Sequence, residues 1–168
     1  MPEETKNRKK IVVLGGGFGG LFFCKAFRDD AFDGQALRAS LRERFGLGAL
    51  QARHLVQQYG RDAEALLAAA PAEHRRPIGT SRFSWAEIPW SMRTECAITL
   101  CDLLEHRVRM ALFAVGQGLP ELPAIAELAG HAVGWSEERI ARETTAYRDA
   151  VKRRYQIAAH RDRGARAA

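Results

Sequence analysis

Cysteine is scarce in this 168-residue chain: there are three, Cys24, Cys96 and Cys101. None falls in a CxxC pair, and an odd number argues against a disulfide framework. Cys96 and Cys101 are five apart, so on one helix they point in different directions and read as small core residues of a reducing compartment. Histidine is equally thin, with five residues that never take metal-ligand spacing with a cysteine or with each other. A metal site is therefore not expected. The chain also has no apolar run long enough to cross a bilayer, no internal repeat, and no low-complexity segment apart from an Arg/Ala-rich end. No Ser-His-Asp arrangement, carboxylate pair or activated cysteine can be defended from spacing.

What is present is ordinary for a globular domain: 46% hydrophobic and 27% charged residues. The net charge of +6 is unevenly placed. From Lys152 to Ala168 six lysines and arginines face one aspartate, a surplus of five. A basic end of this kind suits nucleic acid or an anionic surface, but the simpler reading is a solvated tail, taken as residues 156–168.

Near the start, Lys9-Lys10 precede a mostly apolar stretch, Ile11 to Phe23. Five glycines interrupt it and no small-x-small cleavage site follows, which argues against a signal peptide. The expected location is cytoplasmic. The stretch reads instead as a strand (11–14), a glycine turn and a helix (20 to about 28). Gly15, Gly17 and Gly20 form G-x-G-x-x-G in the context that gives the motif meaning. The first glycine permits the tight turn, the second lets backbone approach a pyrophosphate, and the third lets helix lie close on strand. KKIVVLGGGFGGLFFCKAF resembles the opening of the type II NADH dehydrogenases and related flavoproteins, and the resemblance implies FAD at Gly15, Gly17 and Gly20. It covers about twenty residues. No β-rich run ending in an acidic residue follows around Arg38–Leu41, as such a fold requires. Residues 1–32 are therefore expected to be a truncated βα dinucleotide-binding fragment.

From Asp33 to about 155 the pattern is helical. Helices are expected over 34–44, capped by Asp33 and closed by Gly46, and over 49–59, with Leu50, Leu55 and Tyr59 inward and Gly60 at its end. A short Ala/Leu-rich helix starts at Asp62 and stops at Pro71. Residues 71–84 read as a loop, and Pro89 predicts an extended or turned entry over 85–90. The largest apolar surface lies in 93–115, free of Gly and Pro and expected as one long helix. Ala97, Cys101, Leu104, Val108 and Leu112 mark its stripe; Cys96, Leu100, Leu103 and Met110 widen it. Glu95, Thr99, Asp102, His106 and Arg109 recur on the other side. Gly116 and Gly118 end this helix. Another follows from Pro120–Pro123, with Leu122, Ile125, Leu128, Ala129 and Val133 inward. Ser136 is a good N-cap for the last helix, with Glu137 and Glu138 in its first turn and Trp135 placed to staple onto Ile140. The fold expected is mainly α: a single bundle of about five to six helices behind an N-terminal βα fragment.

Residues from about 34 to 155 resemble the C-terminal helical domain of the FAD-dependent glycerol-3-phosphate dehydrogenases and oxidases. The matching features are Tyr59-Gly60, Ala86-Glu87, Glu95, Asp102-Leu103-Leu104, His106-Arg107-Val108-Arg109, Gly134-Trp135, Glu143 and Tyr147. The family usually has two arginines and a threonine where this chain has His106, Arg107 and Val108. The resemblance implies an oxidoreductase relative that turns glycerol 3-phosphate into dihydroxyacetone phosphate, with flavin and substrate residues in a large N-terminal part outside this match. The chain is then expected to be an accessory domain without catalysis of its own. Its partner would be a flavoprotein domain or subunit, through which it could reach a membrane surface peripherally.

Glu95, Asp102 and Arg107 are the residues singled out as an interface to that partner. Their simpler role is structural, with Asp102–His106 and Glu105–Arg109 as i,i+4 pairs worth about 0.3–0.5 kcal/mol each. Glu87, beside Trp85 and Trp90, is a candidate pocket residue whose simpler reading is core or interface. Two alternatives stay open: an FAD subunit completed by another chain, and a basic helical module for nucleic acid. The second is disfavoured, because Arg38, Arg42, Arg44 and Arg53 alternate with apolar positions and lack interleaved aromatics.

Overall fold

A computed structural model describes residues 32–155. The expected strand, glycine turn and first helix lie outside the described residues, as does the tail beyond 155. Among the described residues there is no strand, only an isolated antiparallel bridge between Pro77 and Ser84. They are mainly helical, as expected. Six α-helices of eight residues or more follow in order: α1 Gly34–Phe45, α2 Ala49–Tyr59, α3 Asp62–Ala69, α4 Glu87–Thr94, α5 Leu122–Val133 and α6 Glu137–Tyr155.

The apolar residues of these elements gather into two clusters. The first joins α1, α2 and α3 through Leu41, Leu55, Val56, Leu66 and Leu67. The second centres on Ile88, Leu103, Leu104, Ile125 and Tyr147, packing α4, α5 and α6 around the segment 96–111. Gly130 lets α5 and α6 approach closely, since a Cβ there would sit 2.6 Å from Ile140 Cγ1.

The long helix expected over 93–115 is not continuous. α4 ends at Thr94, Cys96 takes a left-handed φ of 54°, and a helical run resumes at Leu100. The restart has a specific cause. Thr99 and Asp102 form a reciprocal capping box: the Asp102 N–H donates to Thr99 Oγ1 (3.0 Å), and the Thr99 N–H donates to Asp102 Oδ2 (3.0 Å). Residues Asp102–Arg107 then wind as a π turn, with Val108 N–H donating to Leu103 O at 2.8 Å, and Arg109 takes φ 65°. That break shifts the phase of the stripe. Met110 and Ala111 turn inward, while Leu112, expected inside, is 50% exposed. A one-turn helix, Met110–Phe113, ends the segment.

Smaller expectations also shift. Leu50 is 74% exposed and Gln51 is buried in its place, its Nε2 donating to Arg75 O at 2.5 Å. Val133 is exposed at the end of α5. Pro89 does not force an extended entry: it stands in the first turn of α4, where a missing N–H removes no intrahelical bond. The loop 71–84 contains a 3-10 turn, Ala72–Arg75, and is pinned by Ile78 N–H donating to Phe83 O at 2.7 Å.

Candidate functional site

The most concentrated polar chemistry lies where the two apolar clusters meet. Glu87, at the start of α4, is 0% exposed. One of its oxygens accepts from His54 Nε2 (2.8 Å) and Tyr59 Oη (3.0 Å), both on α2, and the other accepts from the Ser84 N–H (2.6 Å). His54 and Tyr59 are five apart and leave α2 in different directions, and both side chains still converge on the same Glu87 oxygen. The bridge-pinned loop aims the Ser84 amide, and Ser84 Oγ donates back to His74 O at 3.1 Å. His54 also meets the Phe83 ring edge-on, 4.8 Å between centroids. Burial, and then the negative charge of Glu87, push the Tyr59 phenol well above its ordinary value of 10.0, so it stays a neutral donor.

This arrangement has the residue types of an acid–base site but not its geometry. Both carboxylate oxygens are engaged by three donors on two segments, α2 and the loop, with no face left for a substrate. Its effect is to lock α2, the loop and α4 into one register, since a buried carboxylate deprived of such donors is strongly unfavourable.

A second polar group sits along the broken helix, and here the three singled-out residues can be placed. Arg107 Nε donates to the Glu95 backbone oxygen at 2.5 Å, satisfying a carbonyl at the end of α4. Glu95 and Arg107 are thus brought together, though by backbone rather than carboxylate. Asp102 is engaged in the capping box. Burial pushes its carboxyl up, but hydrogen bonds from the Thr99 hydroxyl and from the Ile98 and Thr99 amides outweigh that and hold it below 3.8. The charge of His106 also favours the Asp102 carboxylate, in line with the expected i,i+4 pairing, whereas the expected Glu105–Arg109 pair is replaced. Glu105 is buried against Arg154 of α6, and Arg109 stacks over the Phe113 ring, 5.1 Å from its centroid. Glu143 of α6 accepts from the Leu100 N–H at 3.1 Å, closing the other side of the restart. Burial first, then Glu105, raises the Cys101 thiol above 9.0, which makes it a poor nucleophile at neutral pH.

A cleft of about 460 Å³ opens between α3, α4 and α5, floored by Leu66, Ala70 and Leu128 and edged by Trp90, Arg93 and His131. Trp90 therefore borders a cleft, whereas Trp85 belongs to the core. Among the described residues no group of three metal-ligating side chains converges. A flavin dinucleotide needs a strand–turn–helix whose amides meet its pyrophosphate; the described residues supply a single bridge and do not fit that group. Gly15, Gly17 and Gly20 lie outside them. Sequence reasoning passed over the His54–Glu87–Tyr59 junction because its members are 33 and 28 residues apart. It passed over the capping box because T-x-x-D stood inside an unbroken apolar stripe.

Fold and site together define a helical domain whose buried polar groups tie its own segments together. The family described as the C-terminal domain of alpha-glycerophosphate oxidase matches residues 9–140, and the chain belongs to it. This confirms the helical resemblance at the level of the family, with a match that begins upstream of residue 34. Two relatives are similar over 102 residues: the mitochondrial glycerol-3-phosphate dehydrogenases of Mus musculus, at 33% identity, and Rattus norvegicus, at 32%. Each match takes in 56% of this chain and 14% of the relative, so the chain spans a small fraction of those proteins. No solved structure matches it. Among the described residues no helix is long and apolar enough to cross a membrane.

Proposed function

We propose that this chain is an accessory helical domain that packs on the flavin-bearing body of an enzyme oxidising glycerol 3-phosphate to dihydroxyacetone phosphate, and that it contributes support rather than a reacting group. Family membership supports the enzyme class. The observation that carries the accessory role is the engagement of Glu87, whose two oxygens take hydrogen bonds from His54, Tyr59 and Ser84 in a fully buried junction. The strongest candidate acid–base group is thereby committed to holding helices together. In this reading residues 33–155 form the helical domain, 1–32 are a truncated βα dinucleotide-binding fragment, and 156–168 are a basic tail. The partner is a flavoprotein domain or subunit, and Glu95, Asp102 and Arg107 shape the segment nearest to it. The test is the visible spectrum of the purified chain. The proposal expects no flavin absorbance after purification, and a stoichiometric flavin band overturns it.

A second reading rests on Gly15, Gly17 and Gly20: the chain is an FAD-binding subunit whose sheet is completed by another polypeptide. Flavin that co-purifies only together with such a polypeptide favours this reading over the first.

A further inference from the structure

The broken helix leaves an apolar ridge on the surface. Leu112 is 50% exposed, Phe113 54% and Val115 100%, three large apolar residues within four positions. Their exposure follows from the left-handed turn at Arg109, which rotates Met110 inward and its successors outward. The ridge is also fixed. Ala114 N–H donates to Met110 O at 2.9 Å, and Gln117 takes φ 54°, a conformation unfavourable for a non-glycine residue. Tyr147 Oη, from the buried face of α6, donates to Gln117 O at 2.6 Å and holds that turn in place.

Two cations border the ridge. The Arg82 guanidinium lies 5.0 Å from the Phe113 ring centroid and that of Arg109 lies 5.1 Å from it. Neither forms an ion pair with a carboxylate among the described residues. Arg82 and Phe113 line both a cleft of about 320 Å³ on one flank, which Glu121 also borders, and one of about 180 Å³ on the other. The surface is thus a rigid apolar crest with a groove on either side and a surplus of positive charge.

We infer that the ridge Leu112–Val115, with Arg82 and Arg109, is the surface on which this domain docks the flavin-bearing body, and that the body presents an acidic segment flanked by apolar residues there. The inference rests on the accessory reading above and adds the surface and the chemistry of its partner. Two observations select this occupant. The matched relatives are far longer than this chain, which covers 14% of each, so a domain of this family has a body to pack on. The two unpaired guanidiniums call for carboxylates, and charge complementarity fixes register and excludes wrong partners. A second copy of this chain is a poor occupant, because a symmetric contact brings four guanidiniums together. The ridge supplies the apolar centre, and stacked arginine and aromatic side chains are the residue types that dominate binding energy at such centres.

The test uses the full 168-residue chain and fluorescein-labelled overlapping peptides covering the mouse mitochondrial dehydrogenase outside the matched stretch, read by fluorescence anisotropy. The proposal expects binding to acidic–apolar peptides that weakens with salt. It expects Leu112→Ser/Val115→Ser and Arg82→Gln/Arg109→Gln each to lose about tenfold in affinity, and Leu50→Ser, exposed on α2, to lose none. The altered side chains are exposed, so unchanged circular-dichroism melts separate lost binding from lost fold. Equal binding by all variants, or binding to no peptide, overturns the proposal. So does tighter binding to phosphatidylcholine–phosphatidylglycerol vesicles than to any peptide, or a dimer that the ridge variants dissolve. The accessory reading is judged separately, by the flavin spectrum, so the two can fail independently.

Discussion

Replacing Glu87 by alanine removes the one carboxylate that joins α2, the bridge-pinned loop and α4. Three donors then lose their acceptor: His54 Nε2, Tyr59 Oη and the Ser84 amide. An unsatisfied buried donor costs about 1–3 kcal/mol. Three together give about 3–6 kcal/mol once some water enters the space the side chain leaves, and about 4 kcal/mol is the expected loss. A domain of this size has a total stability of about 5–15 kcal/mol, so the variant is close to unfolding. Glu87→Gln keeps the shape but offers a single acceptor oxygen and turns an N–H toward another donor; it should lose about 2 kcal/mol. Tyr59→Phe removes one donor and leaves the carboxylate with two, for a loss of about 1 kcal/mol. The assay is urea unfolding followed by tryptophan fluorescence, with Trp85 and Trp90 on either side of the junction, and by circular dichroism. The predicted order is Tyr59→Phe, then Glu87→Gln, then Glu87→Ala. An alanine variant within about 1 kcal/mol of the parent refutes the junction as the tie between the clusters.

Further expectations follow from the same geometry. Asp102→Ala removes the acceptor for the Ile98 and Thr99 amides and should lose about 1–2 kcal/mol in urea unfolding, with Asp102→Asn losing less. Because its carboxyl is held below 3.8, its contribution is intact above that pH and disappears as pH falls below it, so acid unfolding of Asp102→Ala should show a smaller drop than the parent. Tyr59 and Tyr147 are both raised by burial, and in that case the folded state holds protons that the unfolded state releases. Their contribution is full below pH 10 and declines above it, so Tyr59→Phe should flatten the alkaline fall in melting temperature. Gly130→Val places carbon atoms where Ile140 Cγ1 lies and should lose about 2 kcal/mol by thermal melt, while the exposed Gly48→Ala loses far less.

Much of the helical layout is legible in the order of residues, because caps and breakers act locally. Gly46, Gly60 and Gly134 take the left-handed or otherwise positive φ expected of helix ends. Ser136 opens α6, its Oγ accepting from the Arg139 N–H at 3.3 Å. The segment 93–115 misleads because apolar periodicity reports burial, and burial persists through a kink. Ala97, Leu100, Leu103, Leu104 and Val108 are all inside, yet they belong to a coil, a helical turn and a π turn. The local signal for that break was T-x-x-D at Thr99–Asp102, which competes with helix continuation by offering the backbone its own hydrogen bonds. The Glu87 junction was illegible for a different reason. Nothing in spacing alone brings His54 to Glu87, and only the crossing of α2 and α4 does.

The most direct measurement of the central claim is turnover. The full chain is mixed with excess FAD and glycerol 3-phosphate, and reduction of an electron-accepting dye is followed by absorbance. An accessory domain with its acid–base groups buried in structural bonds predicts no rate above that of free FAD. Dye reduction that requires both the chain and glycerol 3-phosphate contradicts it.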